Sequence, residues 1–197
     1  CLGTDLGSSA ELANWPMPAK PTTSIVSGST TFCEGNSLVL TTPDAQLYYW
    51  NNGVSTQQNT ITNPGNYWVS TVNEHGCFSE NSDTTTVIVH KTARKPTIIS
   101  GNTTLCENSP NTTYSTSSLY ADSYNWELLP AGSGSIIGDG QSISVDWDDS
   151  FEGLAKLSVK GSNVNCGDGP VSDTMYIALN ALPAVDFDAI APVCLNT

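Results

Sequence analysis

Basic residues are scarce in this sequence of 197 residues. Six Lys and Arg side chains stand against 19 Asp and Glu side chains, which gives a formal net charge of −13 at pH 7. A surface with this charge repels the phosphate backbone of nucleic acids and the headgroups of anionic membranes. We therefore expect no nucleic acid among the partners.

Long apolar runs are missing as well. No stretch approaches the roughly 20 apolar residues that a bilayer-spanning helix needs, and no basic segment followed by an apolar one resembles a secretory leader. The sequence predicts no membrane insertion, and we expect any export signal to lie outside these residues.

Histidine is rare, which argues against most hydrolytic chemistry. His75 and His90 are the only two histidines, and neither accompanies a nucleophile motif. The paired carboxylates of a glycosidase need a cleft, and small domains rarely form a deep one. We predict that the protein is not an enzyme.

One segment of the sequence occurs twice. Residues 27–34 (SGSTTFCE) return almost unchanged as residues 100–107 (SGNTTLCE), and a Lys-Pro pair precedes each copy. Self-similarity of this kind indicates repeated modules, and proline stiffens the joints between them. The predicted organisation is the following: the tail of a preceding repeat with a linker at 1–20, a first module at 21–92, a second at 93–182, and the start of a further repeat at 183–197.

Short strands dominate both predicted modules. β-branched and aromatic residues alternate with polar ones between clusters of Gly, Pro and Asn, and no amphipathic helix of ordinary length is visible. In the second module, four runs carry apolar residues at every other position, which predicts strands with one buried face: residues 124–128, 143–147, 155–159 and 175–179. The predicted fold class is all-β, with tandem β-sandwiches.

The six cysteines indicate disulfides. No Cys-x-x-Cys motif is present, and disulfides persist in oxidising compartments, so we predict an extracellular or cell-surface location. Cys33 and Cys77 flank Trp50 in the Cys…Trp…Cys order of immunoglobulin domains. We predict the pairs Cys33–Cys77 and Cys106–Cys166, one disulfide for each module.

Two cysteines remain outside these predicted pairs. In a serial array, Cys1 and Cys194 would pair with cysteines in neighbouring repeats of the same polypeptide. A mature lipoprotein also begins at a lipid-modified Cys, so this second interpretation of Cys1 stays open.

The motifs also carry a family resemblance. The first module resembles the Ig-like repeats of large Bacteroidetes surface proteins in four segments: residues 31–40, 49–53, 65–69 and 73–77. The second module is similar to the PKD-like repeats interspersed with them in four others: residues 123–126, 138–147, 153–155 and 165–167. The resemblance implies Ig-like and PKD-like β-sandwiches in a secreted, adhesin-like protein exported by the type IX secretion system, but it does not identify a ligand.

The same resemblance implies a modification. Proteins of that phylum carry O-glycans on Ser or Thr in short motifs that begin with Asp, and Thr84 and Thr174 each follow an Asp. An ordinary threonine at a strand edge is the alternative interpretation.

Four carboxylates after Trp147 form the best candidate for a metal site. Calcium takes six to eight oxygen ligands, and one acidic turn supplies several of them: Asp146, Asp148, Asp149 and Glu152. The spacing is not that of an EF-hand, and a solvated acidic turn is the other interpretation. Calcium is the one cofactor that the sequence suggests.

Aromatic residues offer a second candidate site. Tyr49 and Trp68 are not assigned to the core by the alternation, and exposed rings bind sugars by stacking. The favoured function is a non-enzymatic spacer segment of a repetitive surface protein. The alternative is a carbohydrate-binding module, calcium-dependent if the acidic turn binds the ion. The partners expected are neighbouring repeats, cell-surface or secretion-machinery proteins, and glycans.

Overall fold

The computed structural model describes residues 15–182. The chain divides into two compact units, Cys1–Thr92 (unit 1) and Ala93–Thr197 (unit 2). The predicted boundary between the two modules falls at the same position. The assignment of residues 1–20 and 183–197 to neighbouring repeats stays a prediction, because residues 1–14 and 183–197 lie outside the described part.

Unit 1 consists of eight short strands: β1 (Ser24–Ser27), β2 (Thr31–Cys33), β3 (Leu38–Thr41), β4 (Leu47–Trp50), β5 (Gln58–Ile61), β6 (Gly65–Tyr67), β7 (Val69–Val72) and β8 (Thr85–His90). They pair in the orders β1-β3-β5, β2-β8-β6 and β4-β7. Because β6 and β7 are consecutive parts of one run of chain, the second and third groups form one face of a sandwich.

The run of residues Tyr67, Trp68 and Val69 is not one continuous strand, because the ladder is interrupted at Trp68. The Trp68 N–H donates to Asn51 Oδ1 at 3.1 Å, and its carbonyl accepts the Asn51 N–H at 3.1 Å. Trp68 is therefore bonded to the loop after β4 and not to a partner strand, which separates β6 from β7.

The core of unit 1 lies between these sheets. Its buried members are mostly the inward residues of the strands: Leu38, Leu40, Trp50, Ile61, Tyr67, Val69 and Val87. The Trp50 indole N–H donates to the Thr56 carbonyl at 2.9 Å. Asn59 is fully buried and exchanges amide hydrogen bonds with Asn52 at 3.1 and 3.2 Å, so its polar atoms are satisfied.

Unit 2 repeats this plan with longer strands: β9 (Thr104–Cys106), β10 (Thr112–Ser115), β11 (Ser123–Leu129), β12 (Gly134–Ile137), β13 (Ser142–Trp147), β14 (Gly153–Asn163), β15 (Gly167–Val171) and β16 (Met175–Asn180). One sheet has the order β10-β13-β12, and the other has the order β11-β14-β16-β9 with β15 paired to β14. Residues 15–182 contain one short 3-10 helix, Ala131–Ser133, and no helix long and apolar enough to cross a membrane.

The four alternating runs predicted in unit 2 are confirmed as strands with one inward face. Ten of their residues are buried against each other: Tyr124, Leu128, Ile143, Val145, Trp147, Ala155, Leu157, Val159, Ile177 and Leu179. Trp126 and Met175 are partly buried and pack against this cluster. The all-β fold class is confirmed.

Parallel strand pairing determines where the cysteines lie. β2 runs parallel to β8 and places Cys33 beside His90, while β9 runs parallel to β16 and places Cys106 beside Asn180. Cys77 and Cys166 lie instead in turns at the far ends of other strands, next to Asn73 and Asn163 respectively.

These positions make both predicted disulfide pairings wrong. Cys106 carries a free thiol, although Cys33, Cys77 and Cys166 are all disulfide-bonded. The 11 residues of β14 separate the two cysteine positions of unit 2 by about 30 Å, whereas the Cα atoms of a disulfide lie within about 7 Å.

The same argument excludes the pair Cys33–Cys77. Cys33 lies at the end of β8, whose first residue Thr85 pairs with Tyr67, and β7 continues from there to the turn that holds Cys77. The combined lengths of β8 (6 residues) and β7 (4 residues) again correspond to about 30 Å. Neither unit has a disulfide between the two cysteines that the sequence pattern pairs.

The repeated Ser-Gly motif generates a stability prediction. Gly28 has φ +85°, and a Cβ there would overlap the Ser37 carbonyl oxygen, whereas Gly53 has φ +88° with nothing within 4 Å. Both Gly→Ala changes incur the left-handed backbone cost of about 1–2 kcal/mol. Only Gly28→Ala adds a backbone overlap, so it should lower the free energy of unfolding more, as measured by urea denaturation. Equal losses in the two variants would contradict this account.

Candidate functional site

The acidic turn after β13 is stabilised by its own carboxylate. Asp148 Oδ1 accepts hydrogen bonds from the Ser150 hydroxyl at 2.6 Å and from the Ser150 N–H at 2.9 Å. The hydroxyl and then the N–H of Ser150 hold the pKa of the Asp148 carboxyl below its ordinary value. The Asp148 carboxylate therefore has a structural role, because its hydrogen bonds to Ser150 close the turn.

Two of the other predicted calcium ligands, Asp146 and Asp149, line the same cavity as Asp148, whereas Glu152 does not line it. Asp146 lies on β13, and Asp149 and Glu152 are exposed in the following turn. Within residues 15–182, no group of three or more His, Cys, Asp or Glu side chains is placed to hold a metal ion. The structure therefore does not assemble the four carboxylates into a ligand set, and calcium binding at this turn stays a prediction.

The two predicted stacking residues lie in different surroundings. Tyr49 is 47% exposed on β4 and packs at a tilt against Phe78, with ring centroids 5.3 Å apart and an interplanar angle of 44°. Trp68 is half-buried at the break between β6 and β7. Tyr49 and Phe78 form an exposed aromatic pair, but a tilted pair is not the flat row of rings on which a sugar chain stacks.

A third aromatic contact lies in the segment before β1. The Trp15 ring stacks on the His75 ring with centroids 3.7 Å apart and an angle of 14°. The Asn73 side chain donates to the Pro16 carbonyl at 3.1 Å. His75 Nε2 lies 3.4 Å from Glu74 Oε1. These contacts fix the first described residues to the turn after β7.

The tripeptide Ser-Asp-Thr precedes the last strand of each unit, and its role was not predicted from the sequence. Ser82 and Ser172 make the same three hydrogen bonds in their units. In unit 2, the Ser172 N–H donates to the Val159 carbonyl at 2.8 Å. Its hydroxyl accepts the Val159 N–H at 3.1 Å and donates to the Asp173 carbonyl at 2.9 Å. The recurrence of Ser-Asp-Thr at 82–84 and 172–174 was the available signal.

The aspartate of each tripeptide pairs with the lysine of the Lys-Pro joint. Lys95 Nζ lies 2.7 Å from Asp173 Oδ1, and Lys20 is paired with Asp83 in the same way. The hydrogen bond and the charge of Asp83 raise the pKa of Lys20. Because both pairs are exposed, each contributes little to stability.

Thr84 and Thr174 complete the two tripeptides. Both side chains are exposed, and each immediately precedes the last strand of its unit. An exposed hydroxyl beside a strand is accessible to an enzyme, and O-glycosylation at these positions stays a prediction.

Comparisons with known proteins bear on the class of module. Residues 92–177 match a family model described as a PKD-like domain. Among solved structures, the chain is similar to the fibronectin(III)-like modules of Clostridium thermocellum CbhA, with 16% identity and a TM-score of 0.36 over 85% of this chain and 100% of that one. None of the curated proteins matches the chain.

Two further structures show comparable similarity. The three N-terminal domains of the Highly Immunogenic Outer Capsid protein (Hoc) of bacteriophage RB49 have 15% identity and a TM-score of 0.33 over 82% of this chain and 59% of that one. The titin domains z1z2 in complex with telethonin have 12% identity and a TM-score of 0.35 over 85% and 100%. The family match supports the interpretation of unit 2 as a PKD-like module, and the strand pairing of both units is that of all-β modules.

The acidic turn generates a titration prediction. The pKa of Asp148 should lie below the ordinary value of an aspartate, and Ser150→Ala should raise it toward that value, as followed by NMR of the side-chain carboxyl. Because the folded-state pKa is the lower one, the contribution to stability is complete above the unfolded-state pKa and is lost as the pH falls through the folded-state value. Ser144→Ala on β13 is the control and should leave the titration unchanged. An unaltered Asp148 pKa in Ser150→Ala would refute the assignment.

The repeated serine generates a second prediction. Ser172→Ala removes the acceptor of the buried Val159 N–H, so it should lower the free energy of unfolding by about 1–3 kcal/mol. Thr174→Ala, two residues later and exposed, should change it by no more than about 0.5 kcal/mol. Denaturant titration measures the free energy of unfolding of both variants. An unchanged value in Ser172→Ala would contradict the prediction and show that water replaces the hydroxyl.

Proposed function

We propose that this chain is a non-enzymatic structural segment of a large, repetitive, adhesin-like protein on a bacterial surface, exported by the type IX secretion system. The strongest support comes from the similarities and differences between unit 1 and unit 2. The two units share the contacts that hold a module together, and they do not share the residues with candidate binding chemistry.

The shared contacts recur at equivalent positions. Ser82 and Ser172 make the same hydrogen bonds before the last strand. The aspartate that follows each serine forms an ion pair with the lysine of the Lys-Pro joint. After the cysteine of the repeated motif, the Glu34 N–H donates to the His90 carbonyl at 2.9 Å, and the Glu107 N–H donates to the Asn180 carbonyl at 2.8 Å. The framework is what the duplication preserves.

The candidate binding residues are not duplicated. Trp50 pairs with Val69 in unit 1, and Trp126 pairs with Val159 in unit 2, so the two registers correspond. Tyr49 and Asn125 directly precede the two tryptophans, so Asn125 takes the place of Tyr49. Trp68 and Ser158 directly precede the two valines, so Ser158 takes the place of Trp68. A binding site repeated along an array would keep its aromatic residues, whereas a spacer needs only the framework.

The extracellular location has separate support. Three described cysteines are disulfide-bonded, which is typical of oxidising compartments, and residues 92–177 match the PKD-like family. The bacterial surface, the adhesin context and the type IX route rest on the resemblance to Bacteroidetes repeats. Modules with acidic surfaces and well-packed cores would hold functional domains away from the cell.

A carbohydrate-binding module is the second candidate. The exposed Tyr49–Phe78 pair, beside the 50% exposed Leu47, favours it, because an apolar aromatic surface is what sugar faces bind. This patch occurs in unit 1 alone of the two described units, so it would be a single site and not a property of the array.

The purified chain on a glycan array, with and without calcium, separates the two candidates. The spacer proposal predicts no saturable binding under either condition. Saturable binding that is lost in Tyr49→Ala or Trp68→Ala, but retained in the control Tyr176→Ala, would establish carbohydrate binding and overturn the spacer proposal. Tyr176 is a suitable control because it is an exposed aromatic residue on a strand of the other unit, 52% exposed.

A replacement experiment tests the spacer role directly. An unrelated pair of β-sandwiches of similar length, substituted for residues 21–182 in the full-length protein, should leave export and surface attachment intact. Loss of adhesion after this replacement would show that the segment itself binds a partner.

A further inference from the structure

We propose that Cys106 is a linkage site, which forms a disulfide with a cysteine in the β-hairpin turn of a neighbouring β-sandwich module of the same polypeptide. This inference deepens the proposed structural role and rests on it. It assigns a partner of defined chemistry to the thiol that the described residues leave free.

The thiol is available for such a bond. Cys106 is exposed at the end of β9, beside Asn180 at the end of β16. Its main chain is held in place, because its N–H donates to Ser109 Oγ at 3.2 Å and its carbonyl accepts the Ser109 hydroxyl at 2.6 Å. Its exposure makes this thiol accessible to an oxidant and to a partner cysteine.

The equivalent cysteine shows what this position does when a partner is present. Cys33 occupies the same place in the repeated motif, on a strand that pairs in parallel with the last strand, and it is disulfide-bonded. The backbone around Cys33 and Cys106 matches, since the next residue, Glu34 or Glu107, donates its N–H to the end of the last strand in both units. One copy of the motif thus carries a bonded cysteine, and the other copy carries the same cysteine with a free thiol.

Within the described residues of unit 2, no other cysteine is in reach of Cys106. Cys166 is about 30 Å away along β14 and is already bonded. Cys106 lies at the end of the unit where β16 terminates, so only a segment that approaches this end can reach it.

The turn cysteines define the chemistry of that partner. Cys77 and Cys166 both lie in tight turns that begin with an asparagine, and both are bonded. In unit 1, Asn73 Oδ1 accepts the N–H of Cys77 at 3.0 Å, which holds the cysteine in place. Each unit therefore presents one cysteine at the end of its last strand and one in a turn at the opposite end. A bond from Cys106 to such a turn would join two modules end to end.

The reaction is a two-electron oxidation. The two thiols lose their protons and form one S–S bond, and the two electrons reduce the disulfide of an oxidant, an oxidised thiol-disulfide oxidoreductase in the cell or oxidised glutathione in vitro. With glutathione, the first exchange gives a mixed disulfide and one glutathione thiol. Attack by the partner thiolate then releases the second.

Peptide mapping of the full-length protein from its native cells tests the proposal. Free thiols are blocked with N-ethylmaleimide before lysis, and a non-reducing digest is analysed by mass spectrometry. The expected result is a Cys106 peptide linked to a peptide from the hairpin turn of another module, with less than about a tenth of Cys106 alkylated. Alkylated Cys106 in most molecules, or a bond to a second polypeptide or a small thiol, would overturn the proposal.

A variant supplies the matched control. In full-length Cys106→Ser protein, the turn cysteine of the partner module should become alkylated, while Cys33, Cys77 and Cys166 should stay protected. A partner cysteine that remains protected in this variant would contradict the assignment. Failure of this linkage is distinguishable from failure of the spacer proposal, because glycan binding and the state of Cys106 are measured independently.

Discussion

The parallel pairing of a short early strand with the last strand is the constraint on which each unit depends. β2 on β8 and β9 on β16 tie the beginning of the sandwich to its end, while the other pairings are antiparallel. This contact fills one side of the last strand, which would otherwise offer unpaired N–H and C=O groups. Because it is parallel, it also sends the cysteine of the repeated motif to the end of the unit where the last strand finishes.

Much of the sheet structure could be predicted from the sequence because strand periodicity is local. Ile143, Val145 and Trp147 alternate with polar residues, and the structure buries all three. The runs 155–159 and 175–179 were predicted as strands in the same way, and they lie in β14 and β16. In each case, the residues that determine the element are the residues that form it.

The pairing of the cysteines could not be predicted in the same way. It depends on which strands lie side by side and in which direction, and these contacts join residues far apart in the sequence. The order Cys33…Trp50…Cys77 is that of an immunoglobulin domain, but the direction of β2 places Cys33 away from Cys77. The local role of Asp148 in the acidic turn could not be predicted either. Asp148 accepts hydrogen bonds from Ser150, two residues later, and spacing alone does not reveal that local use.

The serine hydroxyls beside β7 and β14 have a consequence for solubility. Ser79 and Ser82 satisfy two N–H groups of β7, and each then donates its proton to the carbonyl of the residue that follows it. These carbonyls are occupied by hydroxyls, so the outer margin of the sheet offers no regular ladder to an incoming strand. Modules held close together at high local concentration would otherwise add strands to one another. The hydroxyl bonds therefore disfavour the addition of a further strand along this margin.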